Sequence, residues 1–191
     1  MTQFSQLPSS SSSQASAYQS HSHSPTLVLS EKRVEIWAGS MYSCKGKFYR
    51  FDCVINLTGS SSKPYRHKIP NRFKRLMKYR EVDEFIIDWP DMGAPPLPFQ
   101  FWKDLLQEFR SRGKSGKPFK VLIFCVGGHG RTGTALTALY MIQNKGKIGA
   151  IDAMTSVRES YCSHAVESES QKTYLKGLHD FLSVNSASNK V

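Results

Sequence analysis

Val121-Leu122-Ile123-Phe124-Cys125-Val126-Gly127-Gly128-His129-Gly130-Arg131-Thr132-Gly133-Thr134 is the stretch that decides the fold. An unbroken apolar run ends at a cysteine, a glycine-rich loop follows, and helical spacing resumes after Thr132. The unbroken run predicts a central strand buried on both faces. Five residues separate Cys125 from Arg131 and three of them are glycines, so the backbone can curl tightly and turn several N–H groups toward one point. Such a nest holds a tetrahedral oxyanion. A helix N-terminus at the same place adds unsatisfied donors and the positive end of the helix dipole. These surroundings suit a cysteine acting as a thiolate nucleophile. Arg131 offers a planar fork that binds two oxyanion oxygens at once and follows them as charge moves in a transition state. The predicted phosphate cradle is therefore Val126, Gly127, Gly128, His129, Gly130 and Arg131, with Cys125 beneath it.

The same residues contain Gly128-x-Gly130-x-x-Gly133, which fits a dinucleotide-binding turn between a strand and a helix. Three observations oppose that reading. The remainder of the chain reads as helices and leaves no room for the parallel strands that should follow. The acid expected about 20 residues on, at a strand end, would have to be Asp152, which sits in a helical pattern. An arginine inside the turn would crowd a pyrophosphate. A Walker-type loop fails because no Gly-Lys-Ser/Thr is present.

Upstream, Phe85-Ile86-Ile87-Asp88-Trp89-Pro90-Asp91-Met92-Gly93-Ala94-Pro95-Pro96 runs from an apolar strand into a loop of prolines and glycine, the composition of a stiff lid with hinge points. Trp89-Pro90-Asp91-x-Gly93-x-Pro95 resembles the general-acid loop of the cysteine-based protein tyrosine phosphatases. Cys125 followed by five residues and Arg131-Thr132-Gly133 resembles their phosphate-binding signature. The resemblance covers residues 30 to 185 and favours the small, dual-specificity-like members. It implies a metal-free, cofactor-free two-step phosphoryl transfer. Cys125 forms a phosphocysteine while Asp91 protonates the leaving oxygen, Asp91 then activates water, and Thr132 assists departure of the thiolate. Asp88 competes with Asp91 for the acid's role. Val166 to Leu175 resembles the segment that positions the hydrolytic water, with Glu167 where its first glutamine is expected and Gln171 matching the second. The residue before the nucleophile, usually histidine in that family, is here Phe124.

The 191 residues, 39% of them hydrophobic, suffice for one good core. The expected fold is a single α/β domain with a mostly parallel central sheet flanked by helices on both sides. Residues 1–29 are expected to be a disordered serine-rich leader, 30–185 the catalytic domain and 186–191 a disordered tail. Strands are predicted at Val34 to Ala38, Asp52 to Leu57, Phe85 to Asp88 and Val121 to Cys125. Apolar stripes at helical spacing follow: Phe101, Trp102, Leu105, Leu106 and Phe109; Leu136, Leu139 and Tyr140; Ile148, Ile151, Met154 and Val157; Tyr174, Leu175, Leu178 and Leu182. All are assigned to core.

Cys44, Cys53, Cys125 and Cys162 show no zinc-ligand spacing, so no metal site is expected. A nucleophilic thiolate needs reducing surroundings, which points to a cytoplasmic setting. Cys53 and Cys162 are candidates for a reversible bridge to Cys125, with ordinary buried thiols as the plainer expectation. No apolar run reaches the ~20 residues of a membrane span. The formal charge is +11, and Lys63 to Arg80 carries eight cations and no acid. That segment reads either as a solvated helix face or as a rim attracting polyanions. The expected partner is a phosphorylated protein. Phosphoinositides, RNA 5′-phosphates and capture of phosphate without turnover are the alternatives, and the sequence leaves oligomeric state open.

Overall fold

The computed structural model describes residues 24–58 and 71–188. Among them, five strands form one sheet in the order β1-β2-β5-β3-β4: β1 Thr26–Ser30, β2 Val34–Ser40, β3 Cys53–Asn56, β4 Asp83–Ile86 and β5 Phe119–Cys125. β1 runs antiparallel to β2, and every other pairing is parallel. The helices are α1 Met41–Cys44, α2 Asn71–Tyr79, α3 Phe99–Arg112, α4 Gly130–Gln143, α5 Ala150–Ser160 and α6 Glu169–Ser188, with a 3-10 turn at Phe48–Arg50. The mostly parallel α/β sandwich expected from the sequence is present.

β5 is the axis of the molecule. Val121, Leu122, Ile123 and Phe124 are wholly buried, and alternation splits them between two cores. Val121, Ile123 and Cys125 join the larger core under α3 to α6. Leu122 and Phe124 join a smaller core with Met41, Cys44, Phe48, Phe51, Val54 and Met77, beneath α1, the 3-10 turn and α2. Each fully buried aliphatic or aromatic side chain contributes roughly 1.5–3 kcal/mol, so the centre of the sheet is its best-held part. α4 is covered nearly all round, which explains its weak amphipathic pattern: all its residues but Tyr140 and Gln143 are buried.

The structure corrects the sequence expectations at several places. The stretch expected to end the leader contains β1, whose Thr26 lies opposite Ala38 and Ser30 opposite Glu35. Adding an antiparallel edge strand shields β2 from solvent. α6 continues to Ser188, past the expected start of the tail. β4 is Asp83–Ile86 rather than 85–88, because the ladder to β3 begins at Cys53 opposite Asp83. Its charged start is balanced by Arg112 on Asp83 and Lys74 on Glu84. Ile151 is 63% exposed and not core. α5 instead turns Ala150, Ala153 and Val157 inward, small residues that permit close approach to α4. Of the basic segment, residues 63–70 lie outside the described residues, and Arg72 to Arg80 lie on and just after α2. The serine-rich stretch up to residue 23 also lies outside them.

Candidate active site

Cys125 ends β5 at the carboxyl edge of the sheet, and α4 begins five residues later. The loop between them is held from outside by its carbonyls. Val126 O accepts from Met41 N at 3.3 Å, Gly128 O from the Tyr161 hydroxyl at 2.8 Å, and His129 O from Gly133 N at 2.7 Å. Gly130 O accepts from the Thr134 hydroxyl at 2.7 Å. Neighbouring N–H and C=O groups point opposite ways, so outward carbonyls turn the intervening N–H groups inward. Gly128 N–H donates to the Cys125 sulfur at 3.2 Å, placing one of these donors directly over the thiol. Gly128 has φ +81°, and a Cβ there would stand 2.9 Å from both Gly39 O and the Tyr161 hydroxyl, so only glycine fits this turn. Phe124 lies on the opposite face of the strand, its ring 5.3 Å from that of Phe48, away from the thiol's side of the sheet.

Arg131 is buried and anchored on one side: Nη1 donates to the carbonyls of Trp89 at 3.1 Å and Leu57 at 3.4 Å. Nη2 lies 3.1 Å from Asp91 Oδ1. Its Nε, sealed from solvent, has no partner. A buried cationic donor left unpaired is costly, and an oxyanion seated in the loop would satisfy it. Thr132 Oγ1 and Gln171 Nε2 are likewise buried and unpartnered. Thr132 lies inside the first turn of α4, whose N-cap is His129, so its hydroxyl does not cap the helix. Gln171 is fully buried rather than on an exposed helix face.

The lid runs from Ile87 to Pro98. Trp89 drives it into the core at 1% exposure, with its indole N–H donating to Gly93 O at 2.8 Å across the turn. Its far end is held where the Tyr174 hydroxyl donates to Leu97 O at 2.9 Å, and its tip where the Ser170 hydroxyl donates to Met92 O at 2.8 Å. The tip itself is open: the Asp91 side chain is 78% exposed. Met92 takes φ +58° there, strain of a kind that gathers at working loops. Asp88 instead lines an apolar groove of about 470 Å³ with Ile55, Phe85, Pro96 and Leu105. Asp91 is the carboxylate that reaches the arginine.

The sequence reading missed the supports behind the loop. Arg158 places Nε on Ala165 O at 2.9 Å and Nη2 on Val166 O at 3.1 Å, fixing the turn before α6. Tyr161 holds Gly128 O, and His129 Nδ1 lies 3.1 Å from the Cys162 sulfur. None of these contacts leaves a spacing signature, since Arg158 and Tyr161 read as ordinary residues at a helix end. Cys53 lies opposite Val121, four residues before Cys125 along β5. That puts it about 14 Å from Cys125, beyond the reach of a disulfide. All four cysteines are free thiols. Burial pushes the Cys44 and Cys53 thiols up to about 12 and raises Cys162 as well.

The sequence profile of the protein-tyrosine phosphatases matches residues 58–177, which takes in the lid, the loop and the start of α6. The chain belongs to the protein-tyrosine phosphatase family. An uncharacterised protein of Methanocaldococcus jannaschii is 33% identical to this phosphatase homologue over 104 residues, 52% of this chain and 62% of the relative. The match thus spans less than two thirds of that relative's length. The crystal structure of Tk-PTP in its active form is 27% identical with a TM-score of 0.59, covering 82% of this chain and 97% of that one. Human DUSP28 shares the fold at 15% identity, with a TM-score of 0.54 over 84% of this chain and 99% of its own. None of the described helices is long and apolar enough to cross a membrane.

Proposed function

We propose that this chain hydrolyses phosphotyrosine in proteins, and phosphoserine and phosphothreonine with it, through a phosphocysteine intermediate. The observation that supports the reading is what the two ends of one loop hold: the Cys125 sulfur under Gly128 N–H at its start, and at its end the Arg131 guanidinium, with a buried unpaired Nε and Asp91 on Nη2. The sulfur attacks phosphorus, the ester P–O bond breaks, and Asp91 gives its proton to the departing oxygen. A tyrosyl oxygen with a pKa near ~10 leaves slowly as an anion, so the acid is needed. The loop N–H groups and Arg131 hold the equatorial oxygens as charge redistributes. Water then cleaves the P–S bond, and Thr132 Oγ1 and Gly128 N–H receive the returning thiolate. The residues retained favour turnover over mere capture, since the thiol, the cation and the acid are all present.

The test is hydrolysis of a small aryl phosphate, with chelator present, by the native chain, Cys125→Ser and Asp91→Asn. Cys125→Ser should abolish turnover. Asp91→Asn should cost about 10²–10⁴-fold, the range of general acid catalysis, and flatten the limb of the pH profile that reports the acid. Turnover that survives Cys125→Ser would overturn the mechanism.

A further inference from the structure

The resemblance assigns water positioning to Gln171 and water activation to Asp91. The Gln171 carbonyl Oε1, however, already accepts from the N–H groups of Glu167 at 2.9 Å and Ser168 at 3.4 Å. A carbonyl oxygen has two lone pairs, and both are engaged. Gln171 therefore presents only its Nε2 donor, which is buried and unpartnered. That end can hold a phosphoryl oxygen but cannot accept a proton from water. Asp91 is drawn to Arg131 Nη2, its side chain largely exposed at the lid tip.

Glu167 supplies the missing acceptor. Its Oε2 accepts from Gly130 N–H at 2.8 Å. Gly130 is the first residue of α4, so its N–H points out of the helix N-terminus, at the end of the loop that begins at Cys125. Glu167 Oε2 and Gln171 Nε2 lie 2.5 Å and 3.1 Å from the point where a Gly130 Cβ would stand, so acceptor and donor converge on one face of the loop. Glu167 is an exposed residue, within reach of bulk water. The backbone that aims this side chain is overdetermined. Val166, a β-branched residue, is held at φ +64°. The Arg158 fork grips the carbonyls of Ala165 and Val166. Gly133 makes room for the turn, since a Cβ there would lie 2.6 Å from the Ala165 Cβ. Strain retained by so many contacts marks a working position.

We propose that Glu167 is the general base of the second step, leaving Asp91 the acid of the first. The water oxygen attacks the phosphorus of phosphocysteine and its proton passes to the Glu167 carboxylate. The P–S bond breaks, its electron pair returns to the Cys125 sulfur, and inorganic phosphate leaves. The inference rests on the phosphatase reading above. A purely structural alternative exists, in which Glu167 only caps the α4 N-terminus.

Glu167→Gln separates these roles, because the amide oxygen can still accept from Gly130 N–H but is a far poorer base. Rapid-quench kinetics with p-nitrophenyl phosphate should show a burst of about one nitrophenolate per enzyme, accumulated phosphocysteine, and a kcat about 10²-fold lower. kcat/KM, which reports steps through phosphocysteine formation, should stay within about threefold. Asp91→Asn should lower both. A Glu167→Gln enzyme with unchanged kcat, or with kcat and kcat/KM falling together and no burst, overturns the assignment while native turnover leaves the phosphatase reading intact. A native chain that forms no phosphocysteine overturns both.

Discussion

The phosphate loop and the lid are built on opposite plans. Residues 125–131 are largely buried; two of their carbonyls are tied down from other elements by Met41 and Tyr161, and two more by the first turn of α4 through Gly133 and Thr134. The lid is pinned at Trp89 and Leu97 but leaves the Asp91 side chain 78% exposed at its tip. A cradle fixed before the substrate arrives spends nothing on reorganisation when charge shifts in the transition state. An acid on a tethered lid can open to admit substrate and close to exclude water. On the proposed mechanism, phosphate binding and protonation fall to different segments, and α6 touches both.

The largest effect should come from pulling the lid's anchor. Trp89→Ala removes a fully buried indole beside Trp102 and should cost about 3–5 kcal/mol in denaturant unfolding. Trp89→Phe keeps much of the packing but loses the 2.8 Å bond to Gly93 O. It should leave the fold intact and lower turnover by closing the lid less well. Equal stability of Trp89→Ala and the native chain would mean that the lid is not core-anchored.

Next in size is the cradle's cation. Arg131→Lys keeps the charge but loses the planar fork and the bonds to the Trp89 and Leu57 carbonyls. A loss of about 10²–10³-fold in kcat is expected on an aryl phosphate, the scale of one transition-state donor. Lysine restoring native kcat would show that a point charge suffices and that fork geometry is irrelevant.

This contrast also explains what the sequence disclosed. The loop was legible because glycine spacing, a strand end and an arginine are local facts, and Gly128 at φ +81° has a backbone reason to be glycine. The parallel sheet was legible from the unbroken apolar run of β5, which only double-sided burial explains. β1 was not, because Thr26–Ser30 is short, carries little alternation and is stabilised by β2 rather than by its own pattern. Ile151 misled because helical periodicity gives a stripe but not which neighbour it meets. Arg158, Tyr161 and the aim of Glu167 were hidden for a deeper reason: each acts across 7 to 37 residues of chain, where single-sequence spacing carries no signal.

A third effect belongs to two buried thiols away from the loop. Cys44 and Cys53 are fully buried, and burial raises each from the ordinary 9.0 to about 12. The unfolded chain releases these protons first, so their stabilisation is complete below pH 9 and drains away as pH rises from 9 to about 12. Each thiol removes about 1.4 kcal/mol per pH unit in that window. Melting temperature followed from pH 8 to 11 should fall more steeply for the native chain than for the Cys44→Ala/Cys53→Ala double variant; parallel curves would refute the attribution.

The smallest effect probes the element that joins the two loops. Ser170, in the first turn of α6, donates to Met92 O at 2.8 Å, one residue from Asp91 and one residue before buried Gln171. Ser170→Ala deletes two neutral hydrogen bonds at an exposed position, to Met92 O and to the Ser168 hydroxyl at 3.0 Å, of which the lid bond is worth about 0.5–1.5 kcal/mol. Global stability should scarcely move, because neither Trp89 nor the loop loses a contact. The closed lid should be populated about 3- to 10-fold less, and turnover limited by the acid should fall with it. The decisive control is Asp91→Asn/Ser170→Ala. If Ser170 acts by placing the acid, its removal costs nothing further once the acid is gone, whereas an undiminished second loss would mean that Ser170 works through α6 on the cradle side.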